Sequence, residues 1–205
     1  GKKIAAHILE AAEVDIEFEQ GQFKVSGTDK QIGIQDVAKA AFKPLALPPG
    51  LEIGLYENAT YTPNAASYPN GCHVCEVEID KDTGKVDIVK YIAVDDVGTV
   101  VNMLTLEGQI HGGIAQGAGQ ALMENIVYDP GNGQMLSGSF MDYSMPKADD
   151  FCSFGITSNP VPAKTNPLGI KGAGEAGTTG ALPAVMNAVN HALNGHNIQH
   201  LEFSL

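Results

Sequence analysis

The chain has 205 residues, 43% of them hydrophobic and 18% charged, with a formal net charge of −12. This length and composition allow one large or two small globular domains with a substantial core. The acidity disfavours nucleic-acid phosphates and anionic membranes as partners, and no apolar run is long enough to span a bilayer. Residues 1–9 lack the apolar core of a secretory signal, and the missing initial Met suggests a processed or truncated start. Three cysteines, an odd number, suit a reducing, cytoplasmic setting better than a disulfide scaffold.

In chain order, residues 2–12 are predicted to form a short helix carrying Ile4, Ile8 and Leu9. Val14–Phe18 and Phe23–Val25 alternate with period two around Glu19-Gln20-Gly21-Gln22, the pattern of a β-hairpin. Residues 34–42 place Ile34, Val37 and Ala41 on one helical face. Pro44, Pro48, Pro49 and Gly50 then break the chain, predicting a small N-terminal unit over 1–45 and a main body over 46–205. Strands are expected over 52–61, 72–80 and 86–95, the last two joined by a turn at Asp80–Lys85. A long helix over 104–123 is dense in glycine and alanine, each interior glycine costing about 1 kcal/mol against alanine. Such a run implies close approach of another backbone or of a ligand. Residues 130–170 read as mostly irregular. A helix over 179–194 has an apolar stripe of Val185, Ala188, Val189, Ala192 and Leu193, and a strand over 198–203 ends the chain. The predicted fold class is α+β, without internal repeats.

The sharpest local feature is Gly169–Gly180, where one carboxylate, Glu175, lies in a glycine-rich turn just before a helix. Gly172, Gly174 and Gly177 satisfy G-x-G-x-x-G, but a dinucleotide site needs a βαβ unit and a later acidic residue, and too little chain follows. An anionic Glu175 within that loop also disfavours a pyrophosphate. Two readings stay open for Glu175. It is either a base projecting into a cavity, or a helix N-terminal carboxylate stabilised by the dipole.

A second feature is Glu107–Gln120. Gln109, Gln116 and Gln120 share a helical face beside bare glycine backbone, which suits a planar hydrogen-bonding ligand such as a pterin, or else is close packing with solvated amides. His111 has no second ligand at helical spacing and reads as a surface or satisfied histidine. In Cys72-His73-Val74-Cys75 the two cysteines, three apart on an alternating strand, point to opposite faces. With no second C-x-x-C they are packing residues rather than a metal site. Cys152 reads as structural.

Together, Tyr68–Asp80, Asp95-Asp96-Val97-Gly98-Thr99-Val100-Val101-Asn102, the helix Glu107–Leu122 and Lys171-Gly172-Ala173-Gly174-Glu175 resemble the C-terminal part of the molybdenum-cofactor-binding large subunit of molybdenum hydroxylases. That family comprises xanthine dehydrogenase, aldehyde oxidoreductase and aerobic carbon monoxide dehydrogenase, and the likeness is greatest to bacterial members of the last type. Cys72 and Cys75 depart from the family, which has small or apolar residues there. The resemblance implies an oxidoreductase with molybdopterin, in the cytosine dinucleotide form, as its molybdenum cofactor. It places the Gly108-Gln109 segment and the Lys171, Gly172, Ala173 and Gly174 stretch against that cofactor. It makes Glu175 the base that deprotonates the attacking oxygen, and it assigns no metal ligand to this chain. It also implies the rest of the large subunit, a [2Fe-2S] small subunit and an FAD-binding medium subunit as partners, with a small-molecule substrate. The 205 residues alone are then expected to be inactive. The alternative is a non-catalytic binding or assembly module that has kept the fold and lost the cofactor.

Overall fold

The computed structural model describes residues 1–196 and Leu201. These form two compact units, Gly1–Tyr61 and Thr62–Leu205. The fold is α+β, as expected. No helix among the described residues is long and apolar enough to cross a membrane.

The first unit carries α1 (Lys2–Leu9), the strands β1 (Ile16–Glu19), β2 (Gln22–Val25) and β3 (Gln31–Gly33), and α2 (Ile34–Ala41). The three strands form one antiparallel sheet in sequence order. The predicted hairpin closes through Gln20 and Gly21, both at positive φ (50° and 77°), the two-residue turn whose twist matches that of its strands. Ile4, Ile16, Phe23 and Val37 fill the core between helices and sheet.

The break expected at 45/46 falls later, after Tyr61. Ala46, Leu47 and Leu51 pack on the first unit's core, and Gly54 N–H donates to the Ala41 carbonyl. The prolines therefore turn the chain along the first unit instead of ending it. The strand expected over 52–61 does not form. Tyr56 and Tyr61 are exposed, and a β-favouring sequence without a neighbouring backbone to pair with gains no ladder.

The second unit carries β4 (Asn70–Ile79), β5 (Val86–Asp96), α3 (Met103–Leu122), β6 (Phe154–Ser158) and α4 (Ala176–Ala192). The sheet order is β4-β5-β6, with β4 and β5 antiparallel and β6 parallel to β5. The register shifts near Glu76/Val77, so Val77 opposes Ile88 while Glu76 opposes Lys90. The extra residue lets Ile88 and Tyr91, three apart, both reach the core. β6 was not expected from the sequence. It alternates only over Phe154 and Ile156, and its partner strand lies beyond a crossover through α3. The strand expected over 198–203 falls, except for Leu201, outside the described residues.

α3 and α4 pack at backbone distance. A Cβ on Gly177 would lie 2.5 Å from the Ile110 carbonyl oxygen, one on Gly113 2.8 Å from Thr178 N, and one on Gly117 2.8 Å from the Ala181 methyl. Three of the glycines thus answer to helix packing.

Candidate functional site

The end of β5 organises the loop that carries the predicted site. One carboxylate oxygen of Asp96 accepts from the N–H groups of Gly98 and Val161, each at 2.9 Å. The other accepts from Lys171 Nζ at 2.5 Å. The ammonium, with those two N–H groups, holds the Asp96 carboxyl at about 2, well below the usual carboxylate value. Lys171 N–H donates to the Val97 carbonyl and Thr99 N–H to the Gly169 carbonyl. Gly98, at φ 68°, has no room for a Cβ against the Gly169 carbonyl. The stretch from Lys171 to Gly174 is the one expected to lie against a cofactor, and within it the Lys171 ammonium is held by Asp96. The pair ties the loop to the end of β5.

This pair sets an acid limit on the fold. Asp96 stays ionised in the folded protein down to about 2, whereas its unfolded counterpart titrates at about 3.9. Its contribution is therefore complete above about pH 4 and lost as pH falls through about 2. The gap in urea midpoint between the wild type and Asp96→Asn should be constant from pH 7 to 5, shrink below 4 and close near 2. A gap unchanged at pH 2 would contradict the pairing.

Beyond Lys171 the chain runs as a strip between two cavities. Lys171 and Ala173 line one of about 290 Å³, together with Gln109, Thr99 and Asn102. Gly172, Gly174 and Glu175 line the other, of about 630 Å³, together with Thr179, Asn187 and His73. Five of the predicted residues, Lys171 to Glu175, thus share one strip, with Gln109 of α3 lining the cavity on one side of it and Glu175 the cavity on the other. Gly108 lies on the exposed face of α3 and lines neither cavity.

Glu175 is the N-cap residue of α4, yet its side chain makes no capping hydrogen bond. Among the described residues its side chain has no ion-pair or hydrogen-bond partner, and the residue is exposed. Its position at the start of α4 is the one the dipole reading requires, although no capping bond accompanies it. The burial expected of a base is not supplied by the described residues either.

The glycines sort into two sets. Those at 113, 117 and 177 are accounted for by helix packing. Gly108 and Gly112 on α3, and Gly172 and Gly174 on the strip, would meet nothing within 4 Å if given a Cβ, and none has positive φ. Neither packing nor conformation within the described residues calls for glycine at these four positions. The N–H groups of Gly172, Ala173, Gly174 and Glu175 also have no acceptor among the described residues. Gln109, Gln116 and Gln120 are exposed on α3 beside this open backbone. Gln116 accepts a hydrogen bond from the Thr178 hydroxyl at 3.1 Å.

His111 Nδ1 lies 2.7 Å from the Glu107 carbonyl, and its ring packs near Phe154, so it is a satisfied histidine. Cys72 is exposed and Cys75 half-buried, on opposite strand faces. Burial, with Cys152 nearby, pushes the Cys75 thiol up to about 11, which makes it inert at neutral pH. Among the described residues no cluster of three His, Cys, Asp or Glu side chains could hold a metal ion. One group escaped the sequence reading. His73 is bonded to both Tyr91 and Asp95 at the edge of the larger cavity. Its partners lie 18 and 22 residues away on the next strand, and only the strand register brings them together.

A family model for the molybdopterin cofactor-binding domain matches residues 1–152. The chain is 35% identical over 204 residues to the carbon monoxide dehydrogenase large chain of Hydrogenophaga pseudoflava, covering 98% of this chain and 25% of that protein. It is 37% identical over 193 residues to the gamma subunit of the 6-hydroxypseudooxynicotine dehydrogenase complex of Paenarthrobacter nicotinovorans, covering 94% and 24%. Among solved structures, quinoline 2-oxidoreductase from Pseudomonas putida 86 superposes with a TM-score of 0.83 at 41% identity, over 94% of this chain and 25% of that one. The chain spans about a quarter of the length of the curated relatives it matches.

Proposed function

Since the chain belongs to the molybdopterin cofactor-binding domain family, we propose that it forms the C-terminal, cofactor-holding share of the large subunit of a cytoplasmic molybdenum hydroxylase. The complete enzyme would be an oxidoreductase of the xanthine dehydrogenase, aldehyde oxidoreductase and carbon monoxide dehydrogenase kind. It would act on a small aldehyde, heterocycle or similar molecule with water-derived oxygen, or oxidise carbon monoxide. Its partners would be the rest of the large subunit, a [2Fe-2S] small subunit and an FAD-binding medium subunit.

The observation that carries this reading is a set of four glycines with no packing reason among the described residues, together with four N–H groups that have no acceptor among them. Bare backbone with free donors fits a large, acceptor-rich ligand such as molybdopterin in its cytosine dinucleotide form. Gly108, Gly112, Gly172 and Gly174 give it room. Gln109 supplies an amide that can both donate and accept, and Lys171 keeps the strip in place through Asp96. When bound, the molybdenum cofactor supplies the two-electron redox step. Glu175 acts as the general base, its carboxylate oxygen taking a proton from the attacking oxygen. With no side-chain partner among the described residues, both its oxygens are available for that transfer.

The test uses Gly112→Leu in the complete enzyme. Among the described residues a Cβ at this position meets nothing within 4 Å. Replacing a mid-helix glycine should even stabilise α3, by about 0.5–1 kcal/mol. A cofactor against that face would be displaced, so molybdenum and pterin content should fall severalfold while the melting temperature holds. Full cofactor content in Gly112→Leu would remove the face from the site.

A further inference from the structure

His73 is fixed more completely than a packing residue needs to be. Its Nδ1 lies 2.8 Å from the Tyr91 hydroxyl, and its Nε2 lies 3.2 and 3.4 Å from the two Asp95 carboxylate oxygens. The side chains of His73 and Asp95 are each 4% exposed. The Tyr91 ring stands edge-on to the imidazole at 5.7 Å and 89°. Burial raises the Tyr91 phenol, so its hydroxyl keeps its proton. With Nε2–H donating to Asp95 and Nδ1 paired with the Tyr91 hydroxyl, both ring nitrogens are satisfied.

Two glycines are cleared around this pair. A Cβ on Gly71 would collide with an Asp95 carboxylate oxygen, and one on Gly180 would lie 2.5–2.6 Å from three atoms of the His73 ring. Gly180 belongs to the first turns of α4. One residue earlier, Thr179 N–H bonds to the carbonyl of Glu175. The ring therefore touches the same helical turn that carries Glu175, and both side chains line the larger cavity.

We propose that His73 is a positioning residue for Glu175. Its ring, clamped by Asp95 and Tyr91, is the seat on which the start of α4 rests, and it sets the place of the Glu175 carboxylate at the cavity rim. A turn of helix is stiff, so a displaced seat at Gly180 moves Glu175. A misplacement of about 1 Å can cost on the order of 10²-fold in rate. This inference rests on the reading of Glu175 as the base.

The test measures Gly180→Ala, His73→Ala and the double variant in the complete, cofactor-loaded enzyme, with Glu175→Gln as reference. Gly180→Ala should lower kcat by about 10²-fold at unchanged KM and molybdenum content. In the double variant the added methyl occupies space vacated by the ring, and kcat should recover at least about tenfold. Compensation in kcat separates positioning from general destabilisation. In the cofactor-free protein, amide exchange over residues 175–180 should quicken in each single variant and slow again in the double. If Gly180→Ala does not load, His73→Gln gives the same readout. It keeps a donor for Asp95 but thins the seat, so kcat should fall at unchanged molybdenum content. Wild-type kcat in these variants while Glu175→Gln is inactive would overturn the positioning role alone, as would a double variant no faster than the slower single one. Full turnover in Glu175→Gln would overturn the base assignment, and the positioning role with it.

Discussion

In the complete enzyme, Glu175→Gln is expected to retain the fold and the bound cofactor while losing about 10²–10⁴-fold in turnover, the usual loss when a general base is removed. Glutamine is nearly isosteric and still forms hydrogen bonds, but it cannot take a proton. Were Glu175 only a carboxylate favoured by the helix dipole, its neutralisation would cost about 0.3–1 kcal/mol of stability and leave the rate intact. Near-normal turnover at full molybdenum content would end the base assignment.

A large effect on stability is expected at Gly177. A Cβ there would lie 2.5 Å from the Ile110 carbonyl oxygen and 3.0 Å from Ile114 N, so the obstacle is the backbone of α3 rather than a movable side chain. Gly177→Ala must push α3 and α4 apart, and overpacking of this kind costs about 1–3 kcal/mol, with the rigid contact favouring the upper end. Three residues earlier, Gly174→Ala meets nothing and should change stability little. Urea midpoints of the two variants make the comparison, and equal shifts would contradict the division of the glycines into packing and open sets.

That division shows where sequence reading reached its limit. The glycine density of α3 and of the Gly172–Gly180 segment was plain, and so were the two possible causes, another backbone or a ligand. Which glycine has which cause depends on the phase of α3 against α4, a tertiary relation. The Asp96–Lys171 pair joins residues 75 apart, and nothing in either local motif points to the other. His73 was read only with its neighbouring cysteines, because its partners lie across the hairpin. Periodicity located both helices of the second unit and the β4–β5 hairpin to within about three residues, since each has a long buried face. It failed at 52–61, where aromatic residues suggested a strand that has no neighbour. It also missed β6, whose five residues carry only two apolar positions.

The central claim is that the Lys171–Glu175 strip and the open face of α3 form part of a molybdenum cofactor site. Hydrogen exchange of the intact enzyme, with and without its cofactor, tests this at the amides themselves. The N–H groups of Gly172, Ala173, Gly174 and Glu175, which have no acceptor among the described residues, should exchange fast in the cofactor-free protein. They should slow by at least about tenfold on loading, and β1–β3 of the first unit should be unchanged. Equal exchange at residues 172–175 in the two states would contradict the account.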